Sequence, residues 1–172
     1  MKLMGRRWRS RLLFFSCLAF CGCTLKTVET IETGDKTAAE CSVLIATQKS
    51  RFKDKVVSDI KSEIKKVRHN HVFYIKVVDV EWLPYESPDQ YCAIVIINRC
   101  MAGRPDPRVE IFIDNIQDKH KLVVLTTGRL DSWKPASPEV DAITSASTMA
   151  QAGAVAETIA DKVMEIIHST LN

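Results

Sequence analysis

A short segment near the C-terminus, residues 140–148 (VDAITSAST), brings an acid and several hydroxyl groups close together. Asp141 is followed by Thr144 and Ser147, with small residues around them. A hydroxyl on an accessible turn, next to small side chains and an acid that orients a metal or proton, could accept a covalent modification. The alternative is a hydroxyl-rich helix start, in which the same side chains satisfy free backbone N–H groups.

The same segment resembles the covalent flavin-attachment motif of the FMN-binding subunits of ion-pumping quinone reductases. In that motif an Asp is followed by two residues, a Ser or Thr, a Gly or Ser, an Ala and the acceptor Thr or Ser. The resemblance implies that Asp141 is the leading acid, that Thr144 is the hydroxyl position, and that Ser147 accepts FMN through a phosphoester.

The elements that must position these residues alternate between strand and helix. Apolar runs predict strands at 41–47, 71–80, 92–98 and 121–127. Apolar residues at helical spacing predict three helices, which begin near Phe52, Val109 and Ala152. This order predicts an α/β fold, a three-layer sandwich with a mainly parallel sheet of four or five strands.

Four consecutive stretches in the middle of the chain carry a second resemblance: 93–98 (AIVIIN), 99–107 (RCMAGRPDP), 109–116 (VEIFIDNI) and 122–128 (LVVLTTG). They resemble the strand, ligand loop, helix and strand in the centre of the flavodoxin-like family, and the pattern extends over about residues 40–172. The chain is also similar to small bacterial envelope proteins with this fold. The resemblance implies noncovalent FMN binding at the carboxyl ends of the strands.

If that resemblance holds, the first loop cradles a phosphate at a helix N-terminus, with Thr47, Lys49 and Ser50 as candidates. Met101 and Trp133, in the next two loops, are the candidate apolar contacts of a flavin ring. The first loop has no glycine, which makes close approach of backbone to phosphate harder. The alternative is a solvated helix start, a Met101 that fills a gap and a Trp133 that packs over the sheet edge.

The N-terminus is predicted to be an export address. Residues 1–22 combine a basic start with an apolar run at 12–20 that is too short to span a bilayer. The segment resembles a bacterial lipoprotein signal peptide, which implies that Cys23, preceded by Gly22, carries fatty acids such as palmitate. The polar residues 23–37 are then a flexible tether, and residues 38–172 form the flavodoxin-like domain.

The other cysteines of the mature part are Cys41, Cys92 and Cys100, so at most one bridge can form among them. Cys41 and Cys92 each begin an apolar run, which favours buried free thiols, although an exported protein meets oxidising conditions. The histidines are scattered, and no metal site is expected.

Without residues 1–22, the chain has 19 basic and 21 acidic residues, which leaves no basic surface typical of nucleic-acid binding. No hydrolase, nucleotide-phosphate or zinc-protease motif occurs, and no catalytic residues are predicted. We therefore expect a membrane-anchored lipoprotein of the bacterial envelope with a ligand- or partner-binding domain. FMN-linked electron transfer to a redox or envelope protein is the sharper form of this hypothesis. The alternative is a structural or protein-interaction module that has lost cofactor binding.

Overall fold

The computed structural model describes residues 27–66, 72–128 and 133–171. Within these ranges no helix is long and apolar enough to cross a bilayer. The strands are β1 (Ile31–Thr33), β2 (Cys41–Thr47), β3 (Phe73–Asp79), β4 (Ala93–Arg99), β5 (Leu122–Thr127) and β6 (Asp141–Ser145). The α-helices are α1 (Arg51–Lys66), α2 (Pro107–Asn115) and α3 (Ala152–Leu171). Short 3-10 helices are formed by Val80–Tyr85, Pro88–Gln90, Lys119–Lys121 and Met149–Gln151.

The strands form one sheet in the order β1-β3-β2-β4-β5-β6. Strands β2 to β6 run parallel, and β1 pairs antiparallel with β3 at one side of the sheet. The chain passes from β2 outward to β3 and then returns to the opposite side of β2 with β4. This is the doubly wound strand order of the flavodoxin-like fold, with its switch point between β2 and β4. The predicted α/β class and mainly parallel sheet are confirmed.

The sheet has six strands rather than four or five, because the sequence patterns missed β1 and β6. Strand β1 lies inside residues 23–37, the predicted tether, where Ile31 pairs with Val77. Val28 is also buried. Residues 27–33 are therefore packed on the domain, and the prediction that residues 23–37 form a free tether is wrong for this part.

Each face of the sheet carries its own hydrophobic core. Helices α1 and α3 cover one face, and their apolar stripes pack on alternate residues of the central strands, such as Ile45, Val95 and Leu125. The other face packs against α2 and the 3-10 helix Val80–Tyr85. Because the central strands are buried on both faces, they read as continuous apolar runs in the sequence.

Cys41 and Cys92 form a disulfide, so the prediction that they are free buried thiols is wrong. Ser42 accepts a hydrogen bond from the backbone N–H of Cys92, which places the starts of β2 and β4 side by side. The two Cα atoms are 5.8 Å apart, a normal separation for a disulfide. Cys100 is a free, partly exposed thiol.

Candidate functional site

The buried polar side chains of the described residues gather at one place in the fold. Seven polar or charged residues are buried, and all lie at or just beyond the ends of parallel strands: Thr47, Lys53, Asp79, Asn98, Thr126, Thr127 and Ser145. We call this end of the sheet the carboxyl edge, and the opposite end the amino edge. In open parallel sheets, ligands bind beyond the carboxyl edge, near the switch in strand order.

The strand register arranges several of these residues in two rows. Asn98, Thr126 and Thr144 stand opposite one another on the face covered by α2. One position further along the strands, Thr127 stands opposite Ser145 on the face covered by α3. The side-chain oxygens Asn98 Oδ1 and Ser145 Oγ are buried without a hydrogen-bond partner. An unpaired buried polar group costs about 1–3 kcal/mol, so these atoms are the first candidates for ligand contact.

A lysine, a glutamine and a backbone amide join β2, α1 and β4 at the switch point. The side-chain oxygen of Gln48 accepts hydrogen bonds from Lys53 Nζ at 2.9 Å and from the backbone N–H of Arg99 at 2.9 Å. Burial lowers the pKa of Lys53 to about 7, helped by the charge of Arg99 and opposed by Asp79. Near neutral pH, the Lys53 side chain is thus poised between its charged and neutral forms.

Asp79, at the end of β3, is engaged in holding the chain. Its carboxylate accepts hydrogen bonds from the backbone N–H groups of Val28 and Glu81, at 2.9 and 3.1 Å. It therefore caps the 3-10 helix that follows β3 and fixes the segment that leads into β1. These contacts make Asp79 a structural residue of the carboxyl edge.

The three candidates for phosphate binding lie together between β2 and α1. Thr47 is the last residue of β2 and is buried. Ser50 caps α1, because its Oγ accepts a hydrogen bond from the N–H of Lys53 at 3.1 Å. Lys49 is exposed and lies 3.3 Å from the carboxylate of Asp54. Thr47 and Lys49 also line a groove of about 870 Å³ between α1 and the segment that leads into β1.

The two candidate ring contacts are not brought together. Met101 lies at the carboxyl edge in a tight hairpin turn, in which Met101 and Arg104 exchange two backbone hydrogen bonds. The central residues Ala102 and Gly103 have φ angles of 51° and 80°, as this kind of turn requires. Trp133 instead packs on the α2 face and lines a separate groove beside Pro107 and Lys134.

The structure separates the residues of the 140–148 segment. Asp141 is the first residue of β6 and its carboxylate pairs with Lys162 of α3 at 2.7 Å. Thr144 and Ser145 lie within β6, so the predictions of an accessible turn or a helix start over these residues are wrong. Ser147 follows the strand, is exposed and has a φ of 55°. Asp141 begins this strand, which is about 13 Å long, and Ser147 lies two residues beyond its other end, so the acid is not placed to act on Ser147.

Two further predictions concern other parts of the molecule. Cys23 lies outside the described residues. Within the described ranges, no group of three or more His, Cys, Asp and Glu residues is arranged to hold a metal ion.

The predicted site residues do not include Gln48, Lys53, Asn98 or Ser145. A signal for Asn98 existed, since it is the polar residue that directly follows the apolar run of β4. A signal for Lys53 existed too, because residues 53, 57, 60 and 64 form one buried stripe of α1.

No protein-family model and no curated protein matches the chain. Among solved structures, the fold is similar to the metal-soaked flavodiiron core Flv1 from Synechocystis sp. PCC6803, with a TM-score of 0.51 and 10% identity over 78% of this chain and 38% of that one. The chain thus spans about two fifths of that protein. A flavodoxin from the domain Archaea gives a TM-score of 0.48 at 9% identity, over 74% of this chain and 99% of that one. Flavodoxin 2 from Bacillus cereus gives 0.45 at 16% identity, over 72% and 98%. The domain has a flavodoxin-like α/β fold.

The carboxyl edge fits the phosphate end of FMN better than its ring. The Ser50-capped N-terminus of α1 and the cations of Lys49 and Lys53 are a donor set that suits a phosphate. The Gln48 side chain, however, bridges the ends of β2 and β4 and must rotate to admit a ligand there. Met101 is the one predicted ring contact at this edge.

Proposed function

We propose that the chain is a lipid-anchored protein of the bacterial cell envelope whose flavodoxin-like domain binds a phosphate-bearing ligand at the carboxyl edge. FMN, in electron transfer to a redox or envelope protein, is the ligand to test first. One observation carries the proposal: every buried polar side chain of the described residues lies at this edge.

The energetic cost of that arrangement supports binding. Two buried oxygens, Asn98 Oδ1 and Ser145 Oγ, lack partners, although a folded chain normally pairs such atoms. A ligand hydroxyl can donate to Asn98 Oδ1 and so recover part of this cost. The ribityl chain of FMN has such hydroxyls.

Different residues of this chain would bind different parts of the ligand. The N-terminus of α1 and Lys49 would hold the phosphate, and Lys53 would add a second charge once protonated. Because Lys53 has a pKa near 7, an anion bound beside it raises that pKa and draws in a proton. FMN itself supplies a reversible electron carrier when bound. Binding is thus expected to weaken as the pH rises above 7.

The test is a titration of the purified full chain with FMN, followed by flavin fluorescence at pH 6 and pH 8. We expect saturable binding that is weaker at pH 8, and a loss of about tenfold in affinity in Lys53→Met, because a charged hydrogen bond disappears. Lys65→Met, an exposed lysine of the same helix, is the control and should bind like the wild type.

The same preparation tests covalent attachment. Flavin absorbance that survives denaturation, and that is lost in Ser147→Ala but kept in Ser145→Ala, would assign the acceptor. A colourless protein that also refuses added FMN contradicts both FMN hypotheses.

A specific observation favours the alternative, a module that has lost cofactor binding. The Gln48 side chain bridges α1 and the end of β4, where a ligand would enter, and the loop after β2 has no glycine. If the domain has lost cofactor binding, the carboxyl edge would bind a protein partner, and added FMN would not compete with that partner.

Export to the envelope is supported by the disulfide between Cys41 and Cys92, since such bonds persist in oxidising compartments. The anchor is tested by labelling cells with a palmitate analogue. We expect label in the wild type and in Cys21→Ser, and none in Cys23→Ser. Label that persists in Cys23→Ser would contradict acylation at this residue.

A further inference from the structure

We propose that the carboxyl edge docks on the surface of an anionic phospholipid bilayer, so that the ligand site faces the membrane. This inference rests on the proposed lipid anchor at Cys23. It adds an orientation of the domain that the anchor alone does not imply.

The path of the chain brings the anchor to this edge. Because β1 runs antiparallel to β3, the residues before β1 lie beside the end of β3. The N–H of Val28 donates to the carboxylate of Asp79, the last residue of β3, at 2.9 Å. Five residue steps separate Cys23 from Val28 and can span at most about 18 Å when fully extended. A lipid on Cys23 therefore holds the carboxyl edge near the bilayer.

Exposed apolar side chains occur in the segments that leave the same edge. Met101 is 62% exposed after β4, and Met149 is 56% exposed after β6. Trp82, in the 3-10 helix that follows β3, is 47% exposed. Trp and Met side chains at this edge can insert among lipid headgroups.

The carboxyl edge carries more exposed positive charge than the amino edge, as docking on an anionic bilayer requires. Exposed cations lie at the ends of β2 and β4 on the carboxyl edge, namely Lys49, Arg51, Arg99 and Arg104, and of these only Lys49 pairs with an acid among the described residues. The exposed acid Glu29 lies at the same edge, next to Val28. Exposed acids precede the parallel strands at the amino edge, namely Asp35, Glu40, Asp89, Asp118 and Glu139, beside five lysines, Lys36, Lys65, Lys66, Lys119 and Lys121. These charges therefore sum to about zero at the amino edge and are net positive at the carboxyl edge. An anionic bilayer attracts the first edge more than the second.

This orientation restricts what can reach the ligand site. A carboxyl edge held against the headgroups exchanges its ligand or electrons with a molecule in the membrane more readily than with one in solution. The amino edge, braced by the disulfide, faces away.

The native thiol of Cys100, directly after β4, reports the orientation without a substitution at the edge. The lipidated full chain is labelled there with a nitroxide and reconstituted into vesicles of phosphatidylcholine alone or of equal parts phosphatidylcholine and phosphatidylglycerol. Collision of the nitroxide with oxygen and with a water-soluble nickel complex measures its depth. The matched control carries the label at the amino edge, in His120→Cys with Cys100→Ser.

We expect the Cys100 label to be shielded from nickel in the anionic vesicles, and the amino-edge label to stay accessible. Arg99→Gln combined with Arg104→Gln should weaken docking by about fivefold for each arginine. Lys119→Gln combined with Lys121→Gln should not weaken it. A lipidated protein with both labels equally accessible overturns the docking proposal and leaves the anchor intact. A protein without lipid overturns both.

Discussion

At the scale of single residues, Lys53 carries most of the chemistry that distinguishes this carboxyl edge. It lies on the buried stripe of α1, and its ammonium donates a hydrogen bond to the uncharged side chain of Gln48. Removing a charge from water without a counter-ion is costly, so burial lowers the pKa of Lys53 to about 7. A lysine whose pKa is lowered by burial at the carboxyl edge of a parallel sheet is typical of functional sites.

The stability of the domain should therefore depend on Lys53 and on pH. In the unfolded chain Lys53 titrates near 10.5, and in the folded chain near 7. Between these values the unfolded state binds the extra proton, so the free energy of unfolding rises with pH, by at most about 1.4 kcal/mol per pH unit. Below pH 7 both states are protonated and the penalty of the buried charge is complete.

Lys53→Met removes the titrating group and, with it, this contribution to the pH dependence of stability. Denaturant unfolding between pH 7 and 10 should show a flatter pH dependence in Lys53→Met than in the wild type, and a higher stability at pH 6. Lys65→Met should keep the wild-type slope. Equal slopes in Lys53→Met and the wild type would show that Lys53 is charged and solvated in the folded protein.

At the scale of elements, β1 attaches the N-terminal segment to the domain, and a turn at Gly34 follows it directly. Gly34, directly after β1, has a φ of +100°, and a Cβ there would lie 2.3 Å from the backbone oxygen of Phe73. A side chain at this position clashes with the backbone of β3 and is also strained. Gly103 has a φ of +80° but no atom within 4 Å of its Cβ position, so it offers a matched control.

We expect Gly34→Ala to lower the free energy of unfolding by about 2–4 kcal/mol. Gly103→Ala should cost about 1–2 kcal/mol, from backbone strain alone. Thermal unfolding of both variants measures the difference. Equal losses would mean that the contact between Gly34 and β3 does not restrain the chain.

The elements also show how far the sequence predicts the fold. Strands β2 to β5 were predicted because burial on both faces gives each of them an apolar run. Strands β1 and β6 were missed, since they are short side strands whose residues are mostly partly exposed. Their pairing depends on contacts with β3 and β5, which local patterns do not contain.

The candidate site depends on local and distant features of the chain. Thr47, Lys49 and Ser50 lie where β2 ends and α1 begins, and the end of a buried strand and the start of a helix are visible in the sequence. Their role in phosphate binding stays a prediction. The disulfide, the burial of Lys53 and the separation of Met101 from Trp133 depend on how distant segments meet. Only the folded chain shows these.

At the scale of the whole molecule, the two ends of the sheet differ in role. At the amino edge, the disulfide between Cys41 and Cys92 joins the starts of β2 and β4. The carboxyl edge collects the buried polar groups and receives the N-terminal segment through Val28 and Asp79. A rigid sheet thus connects a braced end to an end at which ligand, anchor and membrane would meet.

Amide NMR of the isotope-labelled full chain during titration with FMN can locate ligand binding at the carboxyl edge residue by residue. We predict that shifts concentrate at residues 47–53 and 98–104, while amides near Cys41, Cys92 and Asp118 at the amino edge keep their positions. Shifts centred on the amino edge, or no shifts at all at high FMN concentration, would show that the carboxyl edge does not bind FMN.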